Sequence, residues 1–385
     1  MTYNFDNPPE RRGTGALKYD FNLERGRPAD ALPLWIADFD FPLPNETLEA
    51  MHRRVDLANF GYSESMPSYY EAITDWFKTR HNYEIAAKEI IKTPGVMLGM
   101  AAAVHAFTER GDAILIQPPV YRPFFEIIRS SDRLLVENHL VYENNRYTIN
   151  FEDFERQIVD NKVKLFFLCN PHNPVGRVWT IAELTNLRDI CDRHGVIVAS
   201  DEIHCDYTYP GFTYTSYGTL SDNAVIVTAP SKTFNIAGLQ VSNTFIRNAQ
   251  LRKRYKKAID GFGYSQISVF GLVACESLYR TGADWFSQLQ SYLLGNLEFF
   301  RSYLAEKLPK VKLIEPEGTF LYWLDFSAYG LPQKELDSIV TNKAKLWLED
   351  GDHFGSNIPG FERINGASPR SVLKTAIDKL HAAFE

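Results

Sequence analysis

The feature that most constrains this chain is a set of four short apolar runs, each followed at once by polar or conformationally special residues. Ala113-Ile114-Leu115-Ile116 precedes Gln117-Pro118-Pro119, and residues 163–169 (Val-Lys-Leu-Phe-Phe-Leu-Cys) precede Asn170-Pro171-His172-Asn173-Pro174. Val196-Ile197-Val198-Ala199 precedes Ser200-Asp201-Glu202, and Ala224-Val225-Ile226-Val227 precedes Thr228-Ala229-Pro230-Ser231-Lys232. Nearly continuous apolar runs of this length, bounded by turn signals, read as strands buried on both faces. Between them lie amphipathic stretches. In residues 181–194, Leu184, Leu187, Ile190 and Cys191 recur at helical spacing and Gly195 supplies the stop. Strand and helix in alternation predict an α/β fold, a mostly parallel sheet flanked by helices.

The tail reads differently. From about Trp285 a long helical pattern (Leu289, Leu293, Leu297, Phe300, Leu304) leads to a short strand pair near 311–313 and 320–323, then to helices. A chain of 385 residues is expected to form two or three units at roughly 150 residues each. The expected organisation is a large domain over 46–284 and a smaller α+β domain built from both chain ends, 1–45 and 285–385. No repeat or low-complexity linker marks a boundary.

Composition narrows the function. With 41 Lys plus Arg against 48 Asp plus Glu, the formal charge is −7, so a nucleic-acid partner is not expected. The densest basic cluster, Arg252-Lys253-Arg254 with Lys256-Lys257, reads either as a solvated helix face or as an anion or partner patch. The start, Met1-Thr2-Tyr3-Asn4-Phe5-Asp6, has no cationic segment leading into an apolar run, so no signal peptide is expected. The longest uncharged stretch, 93–108, is too short to span a bilayer comfortably. The four cysteines show no paired or metal-ligand spacing. A cytoplasmic protein with no membrane association and no bound metal is the simplest expectation.

In open α/β sheets ligands bind beyond the carboxyl ends of the strands. Polar residues follow every one of the four runs, which predicts one site assembled from Tyr121, Asn173, Asp201, His204, Ser231 and Lys232. A lysine at a strand end is partly desolvated, which lowers its pKa and suits it to Schiff-base chemistry; it also reads as an ordinary loop lysine. Asp201 reads as a buried carboxylate awaiting a cation, or as a helix cap or simple ion pair. Asn173, between two prolines, is also consistent with turn chemistry alone.

Three segments together carry a resemblance: Cys169-Asn170-Pro171-His172-Asn173-Pro174-Val175-Gly176, Ser200-Asp201-Glu202-Ile203-His204, and Ser231-Lys232-Thr233-Phe234-Asn235-Ile236-Ala237-Gly238-Leu239. In order and spacing they resemble the fold-type I pyridoxal-phosphate enzymes of the class I/II aminotransferase superfamily. Trp35-Ile36-Ala37-Asp38-Phe39-Asp40-Phe41, the His of Asp-Glu-Ile-His and the Lys-Thr-Phe-Asn-Ile-Ala-Gly-Leu run are similar to its MalY/PatB-type cystathionine β-lyase (cysteine-S-conjugate β-lyase) subgroup. The resemblance implies pyridoxal 5'-phosphate held by Lys232, which would also take the substrate Cα proton. It implies Asp201 at the pyridine nitrogen, Asn173 at the ring hydroxyl and Tyr121 against the ring. His204 stands where many aminotransferases place a Tyr, so its role stays open. Arg363, with Asn173 and Ala37, would bind the amino-acid substrate.

For the phosphate, Val96 and Met97 open an expected helix whose free N–H groups favour an anion, with the hydroxyls of Ser231 and Thr228 beside them. Tyr62 matches a tyrosine that relatives lend across a homodimer interface, as a catalytic and cofactor-binding residue beside Lys232 and Tyr121. Many aminotransferases carry an Arg where Gln240 stands, which favours the lyase branch. The expected reaction is α,β-elimination from L-cystathionine or a cysteine S-conjugate to a thiol, pyruvate and ammonia. The alternatives are an aminotransferase and a non-catalytic regulatory or binding module on the same fold. A metal centre on His172, His194 and His204 lacks ligand spacing.

Overall fold

All four apolar runs become strands of one sheet. The computed structural model describes residues 2–385 and contains a seven-stranded sheet. Its strands are β1 (Ile90–Thr93), β2 (Ala113–Ile116), β3 (Leu134–Glu137), β4 (Leu165–Cys169), β5 (Ile197–Asp201), β6 (Ala224–Thr228) and β7 (Ser242–Phe245). They lie in the order β1-β7-β6-β5-β4-β2-β3. The five strands from β6 to β3 pair in parallel, and β7 runs antiparallel to both of its neighbours. The α/β expectation therefore holds.

The strands are apolar on both sides because the sheet is covered on both sides. Leu115, Phe166, Leu168, Val198 and Ile226 join one core. The alternate residues Ile114, Ile116, Phe167, Ala199, Val225 and Val227 join a second, under helix Val96–Phe107 and helix Ala249–Gly261. Register brings Cys169, Asp201 and Val227 level across β4, β5 and β6, so the polar segments that follow emerge together.

A second, antiparallel sheet of four strands runs in the order Lys312–Ile314, Leu321–Asp325, Phe361–Asn365, Glu349–Asp350. A third core, with Phe300, Leu304, Tyr322, Ile364, Leu373 and Leu380, lies on it and includes Leu34 from the N-terminal part. Leu32–Pro33 pairs in parallel with Leu346–Trp347, so the two chain ends meet. Helix Ala283–Lys307 belongs to two cores. Trp285, Phe286, Leu289 and Leu293 enter the first, whereas Leu297, Phe300 and Leu304 enter the third. Phe5, Phe39 and Phe41 also pack in the first core. The chain therefore passes residues 284–285 inside a continuous helix. No helix among the described residues is long and apolar enough to cross a membrane.

Candidate active site

A cavity of about 600 Å3 opens at the carboxyl ends of the parallel strands. Tyr121, Asn173, Asp201, His204, Ser231 and Lys232 line it, as do Ala37, Val96, Met97 and Arg363. Two sequence-expected residues are not in its wall. Thr228 ends β6 with its side chain on the face opposite Val227, and its hydroxyl meets Cys205 Sγ at 3.9 Å. The alternation of side chains along a strand explains this, and it takes Thr228 out of the expected phosphate-binding set. Tyr62 is 97% exposed, in an irregular segment beside Gln266, Ile267 and Phe270, away from this chain's own cavity.

Lys232 lies on the short helix Pro230–Thr233 that follows β6, and its Nζ donates to the carbonyl of Ala37 at 2.6 Å. Withdrawal from water pushes its amine down to about 8, with Asp38 and Asp201 pulling the other way. The backbone around it is pinned. The Tyr207 hydroxyl donates to the carbonyls of Lys232 (3.1 Å) and Thr233 (3.0 Å). The Thr233 hydroxyl donates to Asp206 at 2.6 Å, a carboxylate that also accepts from Trp76 Nε1 (3.0 Å) and bonds His81 (2.8 Å).

Asp201 closes β5 and is buried with one backbone donor, Ile203 N–H at 3.1 Å. Desolvation pushes its carboxyl up to about 7, and the charge of Lys232 only partly offsets this. Such a group is under-compensated until a cation meets it. His204 is buried, its Nδ1 has no partner, and burial together with the charges of Lys232 and Arg363 holds it neutral. Tyr121 has its phenol pushed up to about 12 by burial and by Asp201.

Arg363 sits on strand Phe361–Asn365, opposite Trp323 and Glu349. Its Nη1 donates to Asn173 Oδ1 (3.0 Å) and its Nη2 to the Trp35 carbonyl (2.5 Å), while Nε is left without a partner. The guanidinium stacks on Phe354 at 4.8 Å. Two residues on, Asn365 Nδ2 donates to the carbonyls of Ile36 and Asp38, both at 2.8 Å. Segment 35–38 is thus clamped by the second sheet on one side and touches Lys232 on the other.

At the far end of the cavity, helix Val96–Phe107 starts at Gly95, whose φ of 103° suits a residue without Cβ, and no side chain caps its first turn. Ser231 and Gln240 also line the cavity, and the Gln240 amide donates to the Ala237 carbonyl at 2.7 Å. Sequence reasoning missed Trp35, Glu349 and Phe354 as lining residues. Trp35 opens the motif at 35–41, but Glu349 and Phe354 come from a distant segment with no local signal. His172 and His194 do not converge with His204. His172 bonds the Pro119 carbonyl (2.9 Å) and His194 bonds Glu155 (2.8 Å) at the surface.

The donor set fits pyridoxal phosphate. An amine of lowered pKa, a buried carboxylate lacking a cation and an uncapped helix N-terminus match its aldehyde, pyridine nitrogen and phosphate.

The comparisons with known proteins agree. The family described as aminotransferase class I and II matches residues 30–380. The chain is 39% identical over 385 residues to cystathionine β-lyase PatB of Bacillus subtilis (strain 168), covering 99% of this chain and 100% of the relative. It is 30% identical to protein MalY of Escherichia coli (strain K12), covering 97% of each. The crystal structure of the pyridoxal-phosphate-bound C–S lyase from Staphylococcus hominis superposes with a TM-score of 0.92 at 31% identity, covering 100% of this chain and 98% of that one. A lysine, a carboxylate and an arginine meeting at strand ends are thus accounted for: the chain is a pyridoxal-phosphate enzyme of the aminotransferase class I and II family, in the branch of PatB and MalY.

Proposed function

We propose that the protein is a carbon–sulfur β-lyase that cleaves L-cystathionine or another cysteine S-conjugate to a thiol, pyruvate and ammonia. The observation that carries amino-acid chemistry is the convergence of Lys232 and Arg363 on one cavity. Carbon–sulfur cleavage is supported by full-length relatives named for it.

Bound pyridoxal phosphate supplies an electron sink for the charge left when a Cα bond breaks. Lys232 is the residue that would hold it, and the same amine accepts the Cα proton on Nζ, for which a pKa near 8 is well placed. Arg363 orients the substrate by its α-carboxylate, using the planar donor array of a guanidinium. Asp201 would face the pyridine nitrogen, Asn173 the ring hydroxyl and Tyr121 the ring. The first-turn N–H groups of Val96 and Met97, with Ser231 and Gln240, would take the phosphate. His204, neutral, adds no charge beside Lys232. Loss of the thiolate from Cβ leaves a three-carbon remainder that water converts to pyruvate and ammonia.

The reading includes a homodimer in which Tyr62 enters the partner's cavity. Exposed Leu48, Val55, Leu57, Phe60, Tyr62 and Met66 within one stretch support an interface there. It also includes the division into 46–284 and 1–45 with 285–385. Four buried free thiols support a reducing, cytoplasmic setting. The test is incubation of the loaded enzyme with L-cystathionine, following pyruvate and free thiol without any keto-acid acceptor. Pyruvate and thiol in equal amounts are expected. A keto acid that keeps the substrate's carbon–sulfur skeleton, formed only when an acceptor is added and with no free thiol, would overturn the reading in favour of transamination.

A further inference from the structure

Three cations line the cavity without a carboxylate in ion-pair contact among the described residues: Lys232, Arg363 and Arg25. Arg122, a fourth, is neutralised by Glu126 at 2.8 Å, and Glu349 is engaged by His353 at 2.8 Å. Lys232 and Arg363 have tasks in the chemistry above. Arg25 has none, and among the described residues no hydrogen bond ties its guanidinium down. Arg25 is solvent-exposed, and its guanidinium lies over the Trp35 ring at 5.4 Å, with Trp35 itself stacked on Trp347 at 4.3 Å and the planes 9° apart. A cation held by a ring face keeps its N–H donors free for an anion.

Trp35 connects the two guanidinium groups, because its carbonyl accepts from Arg363 while its ring carries Arg25. The second cation is therefore built onto the residue that anchors the first. We propose that Arg25 is the specificity-determining residue that recognises the carboxylate beyond sulfur, the one L-cystathionine carries on its leaving group, and so favours such conjugates over apolar ones. The proposal rests on the β-lyase reading and deepens it: the α-carboxylate goes to Arg363, and the second carboxylate, beyond sulfur, goes to Arg25. Leu17, from the same N-terminal segment, lines the cavity beside them and gives the thioether an apolar wall.

The test compares two near-isosteric conjugates, S-(2-carboxyethyl)-L-cysteine and S-propyl-L-cysteine, on the loaded enzyme. Dissociation constants are read from the cofactor's absorbance, and kcat/KM from pyruvate. The carboxylated conjugate should be preferred, and the preference should shrink as ionic strength rises. Arg25→Gln should lower the ratio of the two affinities by about fivefold, the scale of a solvent-accessible charge pair. Arg25→Lys should restore part of it. An unchanged ratio in Arg25→Gln, or a ratio insensitive to salt, would overturn the proposal. If neither conjugate yields pyruvate, the lyase reading fails, while the two dissociation constants still decide the role of Arg25.

Discussion

Replacing Arg363 by Lys tests the site where its geometry is most specific. The guanidinium is buried and serves two protein acceptors at once, Asn173 Oδ1 at 3.0 Å and the Trp35 carbonyl at 2.5 Å, with Nε still free. An ammonium group is a single point donor and cannot satisfy both acceptors and a substrate carboxylate together. At least one charge-assisted hydrogen bond to substrate is lost, which is worth about 1.5–3 kcal/mol. At 1.4 kcal/mol per factor of ten, kcat/KM should fall by about 10- to 150-fold. Because the α-carboxylate is held throughout the reaction, the loss should lie mainly in KM. Initial rates of pyruvate formation over a range of L-cystathionine concentrations give the split. A change below about threefold, or a loss confined to kcat, would refute the assignment of Arg363 to the α-carboxylate.

Three further outcomes follow from the same geometry. Capture of pyridoxal phosphate by the unloaded chain needs a neutral Lys232, so its rate should rise with pH and level off above about 8, well below the ordinary lysine range; stopped-flow absorbance at graded pH measures this, and a rise continuing beyond pH 10 would refute the lowered pKa. Asp206→Ala strands buried donors on Trp76, His81 and Thr233 and should cost about 3–5 kcal/mol, measured by urea unfolding; a cost under 1 kcal/mol would show that the carboxylate is dispensable. Glu362 is buried with Oε2 unpartnered, and burial raises its pKa well above the ordinary range. A carboxyl whose folded pKa is raised contributes stability below its unfolded pKa and loses it as pH rises through the folded value. Glu362→Gln should therefore gain in thermal midpoint over the parent more at pH 8 than at pH 5, and an equal difference at both would contradict the shift.

The sheet was legible because its strands announce themselves twice, by apolar content and by the polar break that follows. The run at 113–116 coincides with β2, and the other three strands differ from their runs by one or two residues at one or both ends. The same polar breaks identified Asp201, Asn173 and Lys232, which one cavity now brings together. The polar break after Val227 also points to Thr228, but alternation along the strand turns that side chain toward Cys205 and away from the wall. Arg25, Glu349 and Phe354 were not legible as lining residues, because their placement depends on how the two chain ends fold back over the strand ends. No local pattern encodes that contact. Tyr62 has meaning at a cavity only beside a second chain, which a single sequence read alone cannot supply.

The helix Ala283–Lys307 has a consequence for how the protein comes apart. At 1.5 Å per residue its 25 residues form a rod of about 38 Å. Near its middle, buried Asn296 donates to the carbonyls of Gly366 (3.2 Å) and Ser368 (2.8 Å), at the point where the helix passes from one core to the other. Neither core can melt without stripping half of this rod of its packing, and a half-supported helix is marginal in water. Heat or denaturant should therefore find a single cooperative transition, and proteases should release no stable fragment ending inside the rod. The lysine and the arginine, carried by different sheets, stay in register for as long as that shaft is whole.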